Sequence, residues 1–202
     1  MNDVTELPDK QIAVAGSNGL FLVSAGGQTT TTLQRGVSYC SCVVIEDRLF
    51  ACCKSQQRIA VYKLIENVWN GQPDIIPRAI SRLSCLKLAA VSAFKTIFCG
   101  YGGSDPTAIR EVTWVGISVR DCVAKDAAGD YLLCDADAER SILVIDKEND
   151  SLKVCNRSDA WTELNQLWPP VKNPQSAVVI KNKLCVAVDH GQRLELYAPK
   201  DQ

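Results

Sequence analysis

The sequence predicts an all-β chain, and three observations carry that prediction. Short apolar runs recur along its 202 residues, divided by Gly, Asp, Asn and Pro, which is the pattern of strands and turns. No stretch sustains the apolar period of a helix. A three-strand phrase also occurs twice, at residues 42–64 (CVVIEDRLFACCKSQQRIAVYKL) and 176–199 (SAVVIKNKLCVAVDHGQRLELYAP). Val43-Val44-Ile45 matches Val178-Val179-Ile180, and Asp47-Arg48-Leu49 matches Asn182-Lys183-Leu184. Gln57-Arg58 matches Gln192-Arg193, and Val61-Tyr62 matches Leu196-Tyr197. A repeated unit of several strands implies an array of similar sheets.

Taken in order, residues 1–10 read as a polar tail. The first unit, residues 11–35, holds two apolar runs (Gln11–Ala15 and Leu20–Ala25) joined by Gly16-Ser17-Asn18-Gly19, a hairpin turn. Gly26-Gly27 closes the second run, and Thr29–Leu33 supplies a β-branched strand. The second unit, residues 37–69, has strands at Tyr39–Ile45, Leu49–Cys53 and Ile59–Leu64 and ends on Trp69, before a Pro-bearing connector at 71–78. The third, residues 82–114, has Leu86–Phe94, Thr96–Gly100, a Gly102–Pro106 turn and Ile109–Trp114. The fourth, residues 115–161, has Ile117–Ala124, Tyr131–Cys134, Ser141–Asp146 and an extra strand at Leu152–Cys155. The fifth, residues 173–202, is the second copy of the phrase.

Trp69, Trp114 and Trp161 act as a ruler, standing 45 and 47 residues apart. A period near this length, with several strands in each, indicates β-propeller blades; a β-sandwich needs no such period. The length then gives about four to five blades, as a small ring or an incomplete one. An open ring would leave an apolar face exposed at each end. The three Trp are expected to pack between blades.

Composition narrows the function. The net charge is −1 and the pI about 5.9, so no basic field attracts nucleic acid or anionic lipid, and basic patches with interleaved aromatics are missing. No apolar run is long enough to span a bilayer. The first residues carry acids and a proline and do not read as a signal peptide. A cytoplasmic or nuclear location is therefore expected, with the ten cysteines as free thiols in a reducing compartment. Most lie inside apolar runs, where a thiol acts as a small hydrophobe. No metal or other cofactor is expected, because the ligand spacing of a zinc site is absent.

The phrase resembles kelch repeats: an apolar strand, a polar turn, a strand ending in Gly-Gly, a strand with a Val-Tyr pair, then a turn and Trp. Val43–Trp69 and Val178–Pro199 carry the likeness best, and Trp161-Thr162-x-Leu164 with Pro169-Pro170 resembles an inter-blade linker. The paired glycines stand at Gly26-Gly27 and Gly102-Gly103 and are replaced by Cys52-Cys53 and Ala187-Val188, in the manner of the divergent kelch domains of plant-type F-box proteins. The resemblance implies a non-catalytic protein-interaction module, with substrate recognition for a ubiquitin ligase as its finer form. The alternative is a propeller enzyme, or a carbohydrate or small-molecule binder, with its pocket at the central channel.

Individual residues offer little chemistry. His190 is the single histidine and reads as an exposed turn residue beside Asp189, with no nucleophile assigned to it. Asp135-x-Asp137-x-Glu139 lacks the glycine and distal Glu of a calcium loop and reads as an acidic hairpin tip. Arg58, Arg110, Arg140 and Arg193 each sit at or just before a unit's last main strand. They would ring one face of a propeller, where bidentate contacts make Arg a common binding residue. Against that stands local pairing with Asp105, Glu111, Asp135, Glu139 or Asp189. The expected protein-binding face is therefore Arg58, Arg110, Arg140 and Arg193 with His190.

Overall fold

The structure, a computed structural model, describes residues 2–53, 56, 58–75, 84–91, 96–102, 109–113, 118–121, 131–136, 141–146, 149, 151–156, 161–163, 171–180, 183–188 and 192–198. They form five antiparallel sheets, and the chain is all-β as expected. The first sheet is β1 (Asp3–Glu6), β2 (Ile12–Gly16), β3 (Gly19–Val23) and β4 (Thr30–Arg35). The second is β5 (Tyr39–Ile45), β6 (Arg48–Cys53), β7 (Arg58–Ile65) and β8 (Val68–Ile75). The third is β9 (Ser84–Val91), β10 (Thr96–Gly102), β11 (Ile109–Thr113) and β12 (Ser118–Asp121). The fourth is β13 (Tyr131–Ala136), β14 (Ser141–Asp146), β15 (Ser151–Asn156) and β16 (Trp161–Glu163). The fifth has three described strands, β17 (Pro174–Ile180), β18 (Lys183–Val188) and β19 (Arg193–Tyr197).

Within every sheet the strands pair in chain order. Between sheets, it is the first strands that meet: β1 with β5, β5 with β9, β9 with β13 and β13 with β17. The first strands therefore lie innermost and the fourth strands outermost, which is how propeller blades are arranged. No packing of comparable extent joins β17 to β1 among the described residues.

Alternating side chains of one strand serve two interfaces, so a central sheet reads as a nearly continuous apolar run. In β6, Leu49, Ala51 and Cys53 join Ala13, Ala15, Leu20 and Leu22 of the first sheet in one core. Phe50 and Cys52 turn the other way, into a core with Ile45, Ile59, Val61, Ile75 and Leu88. A third core holds Leu143, Ile145 and Leu152 of the fourth sheet with Ala177, Leu184, Val186 and Val188 of the fifth. The six cysteines whose side chains are described are free thiols, and four of them are buried.

Several sequence expectations need correction. Residues 1–10 are no tail: Asp3–Glu6 is the innermost strand of the first sheet, paired with β2. Its mixed polar pattern hid it, because a four-residue strand offers too few positions to show alternation. The second unit does not stop at Trp69 either. Glu66 and Asn67 both take positive φ (50° and 63°), making a two-residue hairpin turn that leads into β8. Pro73 within β8 suggested a connector, but an outermost strand has one unpaired edge, where proline is tolerated. Ser118–Asp121 closes the third sheet against β11; it does not open the fourth. The hairpin at 16–19 stands as expected. There the close approach of chains demands glycine: a Cβ on Gly19 would lie 2.5 Å from the Gln34 carbonyl oxygen.

Candidate functional site

The innermost strands position the most connected polar group of the described residues. β5 and β9 each carry a β-bulge near their start, one extra residue against the partner strand: Cys40 in β5 and Leu86 in β9. Bulges re-aim the side chains beside them, and the residues that follow are Ser41 and Lys87. Both converge on Asp3 of β1. Ser41 Oγ donates to Asp3 Oδ2 at 2.5 Å, and the Cys42 amide donates to the same oxygen at 3.1 Å. Lys87 Nζ lies 3.0 Å from both carboxylate oxygens. Ser41 Oγ also accepts the Leu88 amide at 3.0 Å. One carboxylate thus ties together the first strands of three successive sheets.

Burial decides what this cluster can do. Ser41 is wholly buried, and its hydroxyl already donates once and accepts once. The Asp3 side chain is 15% exposed and that of Lys87 31%. Burial, with Asp3 close by, pushes the Cys42 thiol up to about 12, so at neutral pH it is a protonated, unreactive thiol.

A second group crosses the second sheet from its innermost strand to its outermost. Tyr39, Cys53 and Arg58 stand abreast on β5, β6 and β7, and Arg58 Nη1 donates to Asp74 of β8. Burial works against the Arg58 charge, but the Asp74 carboxylate outweighs it and holds the guanidinium protonated. Burial raises the Tyr39 phenol well above its usual range, and the nearby Tyr62 raises it further. Tyr62 is itself raised by burial. The Tyr39 hydroxyl and Arg58 Nε are buried without a well-formed hydrogen bond. Nearer the first sheet, Trp69 is buried between sheets and donates from Nε1 to Asp9 Oδ2 at 3.0 Å. That is the inter-blade role expected of it. Trp114 and the side chain of Trp161 lie outside the described residues.

Three members of the expected arginine ring, Arg58, Arg110 and Arg193, fall within described strands. Arg58 and Arg193 begin third strands, opposite Cys53 and Val188, and Arg110 is the second residue of its third strand, opposite Cys99, so all three lie toward one rim. Third strands run parallel to first strands, which puts this rim on the side where Asp3, Ser41 and Lys87 lie. β14 is the second described strand of its sheet and so starts at the opposite rim. Arg140 and His190 themselves lie outside the described residues, as do the side chain of Arg110 and the acidic positions Asp137 and Glu139. The two arginines with described side chains pair locally: Arg58 with Asp74, and Arg193 Nη2 with Glu195 Oε1 at 2.8 Å. Neither acid was among the expected partners. Asp3, Ser41 and Lys87 were missed altogether; the available signal was a lone serine between cysteines inside an apolar strand.

Among the described residues no group of three or more His, Cys, Asp or Glu is placed to hold a metal ion, and no helix is long and apolar enough to cross a membrane.

No protein-family model matches the chain, and no curated protein matches it. Solved structures do. A chain of a nidogen/laminin complex aligns with a TM-score of 0.69 at 13% identity, over 92% of this chain and 73% of that one. An auxiliary nutrient binding protein from Bacteroides ovatus gives 0.66 at 11% identity, over 99% and 59%. Virginiamycin B lyase from Staphylococcus aureus gives 0.60 at 13% identity, over 96% and 68%. These neighbours are β-propeller-type folds, and at such identities the likeness shows the fold alone. The protein is thus an all-β chain of propeller-type sheets.

Proposed function

We propose that the chain is a non-catalytic protein-interaction module whose sheets form a rigid frame for partner-binding loops. The observation that carries this reading is the state of the innermost polar cluster. Ser41 has a carboxylate and an ammonium nearby, yet it is wholly buried and its hydroxyl is engaged as donor and acceptor. A nucleophile needs a free lone pair within reach of substrate, and this one ties sheets together. The raised Cys42 thiol supports the same reading. Substrate recognition for a ubiquitin ligase, in the cytoplasm or nucleus, is the finer form. It is supported by the kelch-like phrases at 42–69 and 176–199, and the free described thiols suit a reducing compartment.

Affinity capture from cell extract with mass spectrometry tests the proposal. Specific recovery of a ubiquitin-ligase subunit or substrate, lost when the exposed rim residue Arg193 is changed to Glu, supports it. Recovery of no protein, alongside tight binding of a small molecule, contradicts it. That second outcome belongs to the alternative, an enzyme or a small-molecule or carbohydrate binder at the central channel. One observation favours that alternative: the Lys87 side chain stays partly exposed beside Asp3 on the innermost strands. Ligand-induced stabilisation abolished by Lys87→Met would establish it.

A further inference from the structure

Among the described residues, the first and fifth sheets each have one face in a core and one face outside any core. On the fifth sheet the open face carries Val178, Ile180, Leu194 and Leu196, all exposed. Val178 and Leu196 flank Cys185 across the sheet, and Leu194 stands beside Ala187. On the first sheet the open face carries Val4, Ile12, Val14 and Phe21, of which Val4 and Ile12 are exposed. Val4, Val14 and Phe21 form one row, and Ile12 and Val23 the next. Apolar patches of this kind on a soluble protein mark interaction surfaces.

The two faces are not interchangeable. The fifth sheet's open face corresponds to the face that the second sheet turns toward the third. The first sheet's open face corresponds to the one that the second turns toward the first. They are thus the two complementary halves of the sheet-to-sheet contact that the chain makes repeatedly within itself. Their rims also carry opposite charges, Glu6 sharing its exposed carboxylate with Lys10 at 3.4 Å. Glu6 lies opposite Ile12 at the end of β1, and Lys183 lies opposite Ile180 at the turn from β17 to β18. Both edges are at the ends of first strands, so stacking the fifth sheet on a first sheet as successive sheets stack brings Lys183 and Glu6 to the same rim.

We propose that the open face of the fifth sheet docks on the open face of the first sheet of a second copy of this chain. The contact is heterologous, head to tail. Made twice about a two-fold axis, it gives a closed dimer; made without closure, it gives a growing chain of copies. The partner discussed above is a separate matter, so failure of self-association leaves that proposal standing.

Sedimentation of the full chain over a wide concentration range tests the inference. The average mass is expected to rise with concentration, toward a dimer or beyond it. Leu196→Arg and Phe21→Arg should each hold the chain monomeric, and an equimolar mixture of the two should associate again, because each supplies the face the other lacks. Should Phe21→Arg disturb folding, the exposed charges give a second test. Lys183→Glu and Glu6→Lys should each raise the dissociation constant by about tenfold, and the double change should restore it. A wild-type chain that stays monomeric at every concentration overturns the proposal. So does association that survives both Phe21→Arg and Glu6→Lys, since the fifth sheet would then be meeting something other than the first.

Discussion

Ile45 of the second sheet is wholly buried, whereas Ile180, its counterpart in the fifth, is 52% exposed. Val61 is 6% exposed and its counterpart Leu196 is 62% exposed. Yet Leu49 and Leu184, which also correspond, are both wholly buried. The leucines face the preceding sheet, which both units possess. Ile45 and Val61 face the following sheet, and the fifth sheet has none among the described residues. Matching phrases therefore bury different fractions of their side chains because of their place in the array. That is the behaviour of a quasi-one-dimensional fold, in which each unit draws stability from its neighbours.

The comparison can be broken most forcefully at the core. Phe50→Ala removes a wholly buried ring between the second and third sheets and should cost about 3–5 kcal/mol. Leu194→Ala on the open face of the fifth sheet should change stability by less than about 0.5 kcal/mol in the monomer. Urea denaturation measures both, and equal losses would erase the distinction between the two sheets.

The innermost clasp comes next. Asp3→Ala leaves the buried Ser41 hydroxyl without its acceptor and Lys87 without its carboxylate partner, at a cost of about 2–3 kcal/mol. Asp3→Asn keeps one acceptor oxygen and should lose less. If neither change moves the urea midpoint, the clasp contributes nothing to the joining of the first three sheets.

Charge reversal at the rim separates the second and fifth sheets again. Arg58→Glu sets two carboxylates together in a half-buried place and should cost about 2 kcal/mol or more. Arg193→Glu, with a side chain 63% exposed, should cost about 0.5 kcal/mol or less. For this reason only Arg193 serves as a clean probe of partner binding; the Arg58 change would confound binding with folding.

A further effect is alkaline. The Cys42 thiol is raised from 9.0 to about 12, chiefly by burial, and the Tyr197 phenol from 10.0 to about 12, by burial and by its hydrogen bond to Glu195. Both groups hold their protons more tightly when folded than when unfolded. Their stabilising contribution is complete below pH about 9 and is lost as the pH climbs toward 12. The urea midpoint should hold level up to about pH 8.5 and then fall, and Cys42→Ala should shallow the first part of that fall.

Much of this architecture was legible in the sequence, for a physical reason. Central strands such as Arg48–Cys53 are covered on both faces, so they appear as unbroken apolar runs between turn residues. The repeated phrase then showed that similar sheets follow one another. What stayed hidden lay at the margins of each sheet. β1 is too short and too polar to announce itself, and β8 holds Asn70, Gly71 and Pro73 because an outermost edge tolerates them. The clasp was hidden for a different reason. Asp3, Ser41 and Lys87 are brought together by bulges and by packing between sheets, and neither leaves a spacing that can be read along one chain. The arginines line up as a ring when each unit is counted with three strands before its Trp; with β12 counted as the fourth strand of the third sheet, β14 starts at the other rim.

Native-state hydrogen exchange compares the two copies of the phrase most directly. In a monomeric sample, the amides of residues 49–53 should exchange only through global unfolding, while those of 193–197 should exchange through local opening of a sheet covered on one face, faster by about two orders of magnitude or more. Protection at 193–197 should then rise as the concentration is raised and copies associate. Equal protection of the two segments in the monomer would contradict the account, because it would mean that the fifth sheet is as fully covered as the second.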